Sequence, residues 1–185
     1  MNMKRKVLLS IACIFIWISL FSQNYTYTVD ARLSDPGNPG GINTDSDIST
    51  IGWTEIISGG ISTNQWSEVQ TLPFSFEFFG YSVTFFKVSA NGVLTFDTSA
   101  VLIPGANRNL PTSGMPDSSV AFFWDEFTNS PPTGSTDRIY TKVFGTAPNR
   151  QLWIKFRSYE LGNPYHSSVY LAMALEETTN KIYIG

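Results

Sequence analysis

Proline and glycine recur every few residues along this chain, and all ten prolines and all 14 glycines lie past residue 35. Proline lacks the amide proton a helix interior needs, and glycine pays the largest backbone entropy there. Between these breakers sit short runs rich in Val, Ile, Thr, Phe and Tyr. Such residues suit a pleated, half-buried surface. Many short strands joined by turn-rich segments predict an all-β fold, an antiparallel β-sandwich with long polar loops.

The strands are legible by period. Residues 24–33, NYTYTVDARL, alternate enough for a first strand, and residues 34–47 are turn chemistry throughout and predict a long loop. Trp53–Ile57 reads as a strand. Leu72, Phe74, Phe76 and Phe78 fall on one face at period two, and Gly80 closes that run. Later strands are expected at Val120–Trp124, Ile139–Phe144, Leu152–Tyr159, Val169–Leu175 and Lys181–Ile184. In one of them Leu152, Ile154 and Phe156 point one way and Lys155 and Arg157 the other. In another, Val169, Leu171, Met173 and Leu175 share a face. The stretches 103–119 and 128–137 read as loops.

The stretch YSVTFFKVSANGVLTFDT, 81–98, predicts a hairpin. A two-residue Asn91-Gly92 turn would set Val88 against Thr95 and mix polar with apolar residues on one face. A three-residue loop, Ala90-Asn91-Gly92, pairs Val88 with Leu94 and Phe86 with Phe96, with Gly92 left-handed in a bulge. The apolar pairs select that register. Phe85 beside Phe86 breaks the alternation and marks either a bulge or a strand covered on both faces.

The first 22 residues have a different character. Lys4, Arg5 and Lys6 precede the apolar run Val7–Phe21, and Ser22 leads into a polar chain. This is the pattern of a secretory signal peptide, cut near Ser22-Gln23. The run is 15 residues long, Ser10 and Ser19 included, short of the ~20 that span a bilayer core. Cys13 follows Ser10-Ile11-Ala12, only part of a lipoprotein signal, since Ser10 stands where a larger aliphatic residue is usual. Removing the leader takes Lys+Arg from 12 to 9 against 15 Asp+Glu, a net charge of −6. That acidity argues against nucleic acid and anionic lipid as partners. Cys13 is the only cysteine, so the mature chain holds no disulfide or thiolate site and depends on an apolar core. Of 27 aromatic residues, 24 remain to build it.

The order LPFSFEFFG, VSANGVLTF, AFFWDEF, QLWIKF and VYLAMALEETTNKIYIG resembles nidogen-like extracellular domains and the related N-terminal modules of large bacterial secreted and surface proteins. The resemblance implies an extracellular β module with an adhesion role and no catalytic residues to carry over. The cysteines usual in animal relatives are absent, which favours the bacterial variety. The expected organisation is a leader over 1–22, N-terminal strands and Gly/Pro/Asp-rich loops of the same domain over 23–71, and a nidogen-like core over 72–185 that continues into a longer protein.

Candidate chemistry is sparse. Asp45 and Asp47, with Asn43 before them, offer alternating oxygen ligands for calcium in a Gly-rich loop, although the Gly and distal Glu of an EF-hand are missing. Trp53 and Trp66 lie in the polar N-terminal third and can form a sugar-stacking platform, or be buried like most tryptophans. Trp124 and Trp153 sit among apolar neighbours and are expected in the core, with Phe74, Phe76, Phe78, Phe86, Phe96 and Phe156. Asp125 and Glu126 are adjacent, so on a strand they would point to opposite faces and not act as a pair. His166, the only histidine, falls in a turn-rich stretch without a nucleophile elbow, and there is no phosphate-binding glycine motif. The expectation is a non-catalytic extracellular binding or adhesion module without a cofactor other than calcium, its partner an extracellular protein or glycan. The alternative is a carbohydrate-binding domain of a larger secreted hydrolase.

Overall fold

The computed structural model describes residues 38–46, 48–58, 64–129, 137–161 and 168–185. Among them, ten strands form two antiparallel sheets packed as a β-sandwich: β1 (Thr54–Ser58), β2 (Gln70–Phe78), β3 (Tyr81–Ser89), β4 (Val93–Thr95), β5 (Ser119–Ala121), β6 (Phe127–Asn129), β7 (Arg138–Thr146), β8 (Asn149–Leu161), β9 (Ser168–Glu176) and β10 (Ile182–Ile184). The larger sheet runs β1-β7-β8-β9-β10, with β6 paired to the far end of β8, and the smaller runs β2-β3-β4-β5. The leader and the strand expected at 24–33 lie outside the described residues. Of the loop expected at 34–47, residues 39–41 form one 3-10 turn. Among the described residues no helix is long and apolar enough to cross a membrane.

The period-two pattern decides what faces inward. Leu72, Phe74, Phe76 and Phe78 of β2 are all buried and meet Leu152, Ile154 and Phe156 of β8 and Met173 and Leu175 of β9 in one core, against which Leu171 packs. Phe86, Val88, Leu94, Phe122, Phe127, Ile139 and Tyr159 complete it. Phe122 and Phe156 pack edge to face with centroids 5.3 Å apart, an arrangement their quadrupoles favour, and the other core rings pack tilted or stacked. Burying each such side chain contributes about 1.5–3 kcal/mol, which is how the domain dispenses with disulfides.

Local chemistry sets the two hairpins of the small sheet. Phe79 and Gly80 both have positive φ (49° and 79°) between paired Phe78 and Tyr81, a tight two-residue connection. Upstream, the β2–β3 register slips between Thr71 and Phe76, where Pro73 has no amide proton to give. Residues 72–75 face Thr84 alone, and Thr84 and Phe85 are successively exposed before Phe86 turns inward; Phe85 and Phe86 stay paired with Thr71 and Gln70, so the doubled phenylalanine borders the irregularity. In the second hairpin Lys87, Val88 and Ser89 pair with Thr95, Leu94 and Val93, and Gly92 has φ 76°. The ladder keeps the expected register but stops one step short of Phe86–Phe96, because the Phe96 amide donates to Ser118 O at 3.0 Å. Asn91 is fully buried, and its Nδ2 donates to Pro104 O (2.7 Å) and Asn64 Oδ1 (2.8 Å). The turn thereby anchors the long loop that follows.

Four expectations are corrected. The run Val120–Trp124 is not one strand: β5 ends at Ala121, Val120 packs against the core and Phe122 is buried in it. Trp124 is half-buried in the connection to β6, where its indole donates to Gly105 O at 2.6 Å, because a polar ring edge needs a partner that the dry core lacks. Phe96 is half-buried, stacking on Phe76 at the rim of the core. Trp153 is buried, but on the outer face of the large sheet with Phe144 and Ala174. The short strand β6 was not anticipated.

That outer face is covered by chain rather than by a third sheet. Ile42 and Trp53 pack on Phe144 and Trp153, and the described residues 38–46 and 48–53 lie across β7 and β8 ahead of β1. The described part of the N-terminal third is thus a strap over the back of the sandwich.

Candidate functional site

Where the strap crosses β8 and β9 it leaves a cleft of about 130 Å³, lined mainly by Asn43, Asp45, Trp53, Trp153, Lys155 and Tyr170. The gap follows from small residues. Ala172 and Ala174 lie opposite Lys155 and Trp153 in the β8–β9 ladder, and Gly185 pairs with Ala172 through two backbone hydrogen bonds of 2.6 and 2.9 Å. Ala172 and Gly185 are the small residues of the floor, set among Trp153, Lys155, Tyr170 and Leu171, and the space above them is left unfilled.

One cluster fixes the wall. Asp45 Oδ2 accepts from Lys142 Nζ at 2.6 Å and from the Trp53 indole at 2.7 Å. The Lys142 hydrogen bond, outweighing desolvation and aided by Trp53, holds the Asp45 carboxyl below the usual carboxylate range. Trp53 packs edge-on to Phe144 at 5.6 Å, and Lys155 Nζ lies 4.0 Å from its ring centroid, a close cation–π contact. Lys155 is only 6% exposed and donates to Ser49 O. The strap is shaped by its own side chains: the Asn43 amide donates to Asn38 Oδ1 (2.8 Å), five residues back, closing a loop, and the Asp45 amide donates to Asn43 Oδ1 (2.9 Å) in an Asx turn.

A second polar cluster flanks it. Gln151 Nε2 donates to Pro39 O (3.0 Å) and Glu176 Oε2 (2.9 Å), and the Trp153 indole donates to Gln151 Oε1. Burial raises the Glu176 carboxyl, but donors from Thr179, Gln151 and Tyr183 outweigh it and leave the group below its ordinary value. Tyr183 is shifted upward by burial and by that carboxylate. Carboxylates so held stay ionised and hydrogen-bonded, which suits a binding surface better than proton transfer.

The structure separates the two candidate tryptophans. Trp53 borders the cleft. Trp66 is half-buried against the small sheet, bridged to Ser89, with its indole on Leu102 O at 3.1 Å and Lys87 Nζ 5.4 Å from its ring. They do not form one platform. Of the calcium pair, Asp45 is engaged by Lys142 and Trp53, and Asp47 lies outside the described residues. Among the described residues no group of three or more His, Cys, Asp or Glu side chains could hold a metal. Asp125 lies in the loop before β6, where its own Oδ1 accepts the Glu126 amide, and His166 lies outside the described residues. Sequence reasoning missed Lys155 and Tyr170. The available signal was a lysine within LWIKF, set between strand residues that are apolar on both sides.

A family model described as NIDO related matches residues 46–185. The match begins upstream of the motifs that carry the resemblance and includes Trp53 and most of the strap's second half. Among curated proteins and among solved structures, nothing matches significantly.

Proposed function

Because this chain belongs to the nidogen-related family, we propose that it is a non-catalytic extracellular binding module whose contact surface is the strapped outer face of the large sheet. The cleft beside Trp53 carries this reading: it is concave, mixes aromatic with polar groups, and stands on a rigid ladder. The family places such modules outside cells, and the basic-apolar-small pattern of residues 1–22 supports export with cleavage near Ser22-Gln23. An adhesion role in a bacterial secreted or surface protein is the function this arrangement serves. Acid–base chemistry finds no support in Asp45, whose carboxylate is committed to Lys142 and Trp53.

The test is an adhesion assay. Beads carrying the purified protein are allowed to settle on surfaces coated with matrix proteins or with polysaccharides, and their retention under flow is measured. Retention that falls at least tenfold in Tyr170→Ala, and not in Trp66→Ala, supports the outer face. Equal retention of all three proteins, or turnover of chromogenic ester or glycoside substrates, refutes the reading.

A further inference from the structure

We infer that the cleft under the strap is a subsite for one uncharged sugar ring, and this rests on the reading of the outer face as the binding surface. Size is the first observation. The cleft holds about 130 Å³, and a protein cavity of about 150 Å³ accepts benzene, so the space matches a single six-membered ring. Lining is the second. Tyr170, 49% exposed, provides aromatic surface of the kind that packs against the C–H face of a pyranose, and Trp53, whose ring is covered by Lys155 Nζ at 4.0 Å, forms the wall beside it. The Asn43 side-chain amide and the Ser46 hydroxyl bring groups that donate and accept, as ring hydroxyls require, while Asn38 is held by its own bonds to Asn43. Charge is the third. The two charges of the lining already have partners, Asp45 in Lys142 and the Trp53 indole, Lys155 in Ser49 O and the Trp53 ring, so neither is left to select an acid or an amine. A flat apolar ligand would leave the rim's polar groups unmatched, whereas a ring with hydroxyl edges and C–H faces meets both surfaces.

The probes are free glucose, galactose, mannose and N-acetylglucosamine, with glucuronate and sialic acid as charged comparators, each titrated into the purified protein and followed by Trp fluorescence and saturation-transfer NMR. At least one neutral sugar is expected to bind saturably. Ala172→Leu, which fills the floor, should weaken it at least tenfold, and Tyr170→Ala, an exposed change that leaves the core intact, should do likewise. Trp66→Ala should bind as the parent does. The inference is overturned if no neutral sugar saturates, if the acidic sugars bind more tightly, or if binding survives both cleft variants. Adhesion that is lost in Tyr170→Ala while no sugar binds would leave the outer face as a protein-binding surface and remove only the sugar. Sugar binding without any effect of Tyr170→Ala on adhesion would do the reverse.

Discussion

Arg150 and Glu177 join the start of β8 to the turn after β9 through a two-pronged ion pair, Nε to Oε2 at 2.7 Å and Nη2 to Oε1 at 2.6 Å. The Arg150 amide adds a third bond to the same carboxylate, and the Glu177 amide donates back to Arg150 O. The guanidinium also lies 5.5 Å from the centroid of Phe74 in the other sheet. The hydrogen bonds from Arg150 keep the Glu177 carboxyl below its ordinary value, and those to Glu177 raise Arg150 above its own. Only a planar fork makes both contacts at once. Arg150→Lys should therefore lower Tm nearly as much as Arg150→Ala, and the Glu177 amide should exchange faster in both. Added salt should shrink the difference from the parent, since this pair is partly solvent-exposed.

Gly92 should tolerate no side chain. Its φ is 76°, and a Cβ there would sit 2.2 Å from Phe123 O and 2.7 Å from Phe123 C. Left-handed backbone costs a non-glycine residue about 1–3 kcal/mol, and displacing the 123 backbone adds to it. Gly92→Val should lose at least ~2 kcal/mol in chemical denaturation. Gly105→Ala, where nothing lies within 4 Å, is the control and should melt with the parent.

Phe76 and Phe96 stack at 6.0 Å but should differ in worth. Phe76 is fully buried, and Phe76→Ala should cost ~3–5 kcal/mol, a large part of a whole domain's stability. Phe96 lies at the rim and is half-buried, so Phe96→Ala should cost clearly less and leave a folded protein. Denaturant midpoints of the two variants, compared at equal slope, check this. Equal losses would place Phe96 in the core after all.

Acid should loosen the strap. Asp45 has a folded pKa depressed chiefly by its hydrogen bond from Lys142. A depressed carboxyl contributes stability that is present above its unfolded value of about 3.9 and is lost as pH falls through the lower folded value. Between neutral pH and about 5 the melting temperature should change little on this account. Below about 4 it should fall more steeply in the parent than in Asp45→Asn, which has no proton to gain. Trp53 fluorescence should report the same transition, because its indole shares the carboxylate oxygen.

Much of the sandwich was legible because burial on one face writes itself into the sequence at period two. Leu72 to Phe78 and Leu152 to Phe156 are examples, and the Val88–Leu94 register followed from the same pattern. Trp124 misled because a string of apolar residues does not say where a strand ends; a polar indole edge and the Asp125-Glu126 pair did. Trp153 misled for a different reason. Alternation says that it lies opposite Ile154, but not that its own face would also be covered. The cleft was half legible. Trp53 was singled out as aromatic surface, whereas Lys155 and Tyr170 are drawn to it by the β8–β9 register and by the small size of Ala172, which are relations across strands and leave no local mark.

The strap has a bearing on where this unit begins. The family match opens at residue 46, yet Pro39 O receives Gln151, Ile42 packs on the Phe144–Trp153 cluster, and Asp45 holds Lys142. All three lie just ahead of that point. A fragment trimmed to the match would keep Trp53 but lose Ile42 from the Phe144–Trp153 cluster, uncovering part of the sheet face, and strand a lysine without its counter-ion. Such a fragment should be sticky, prone to self-association through the uncovered face, while one that keeps residues 38–45 should stay monodisperse. Shared ancestry and mechanical integrity draw their borders at different residues here, and it is the latter that decides what can be cut out and still fold.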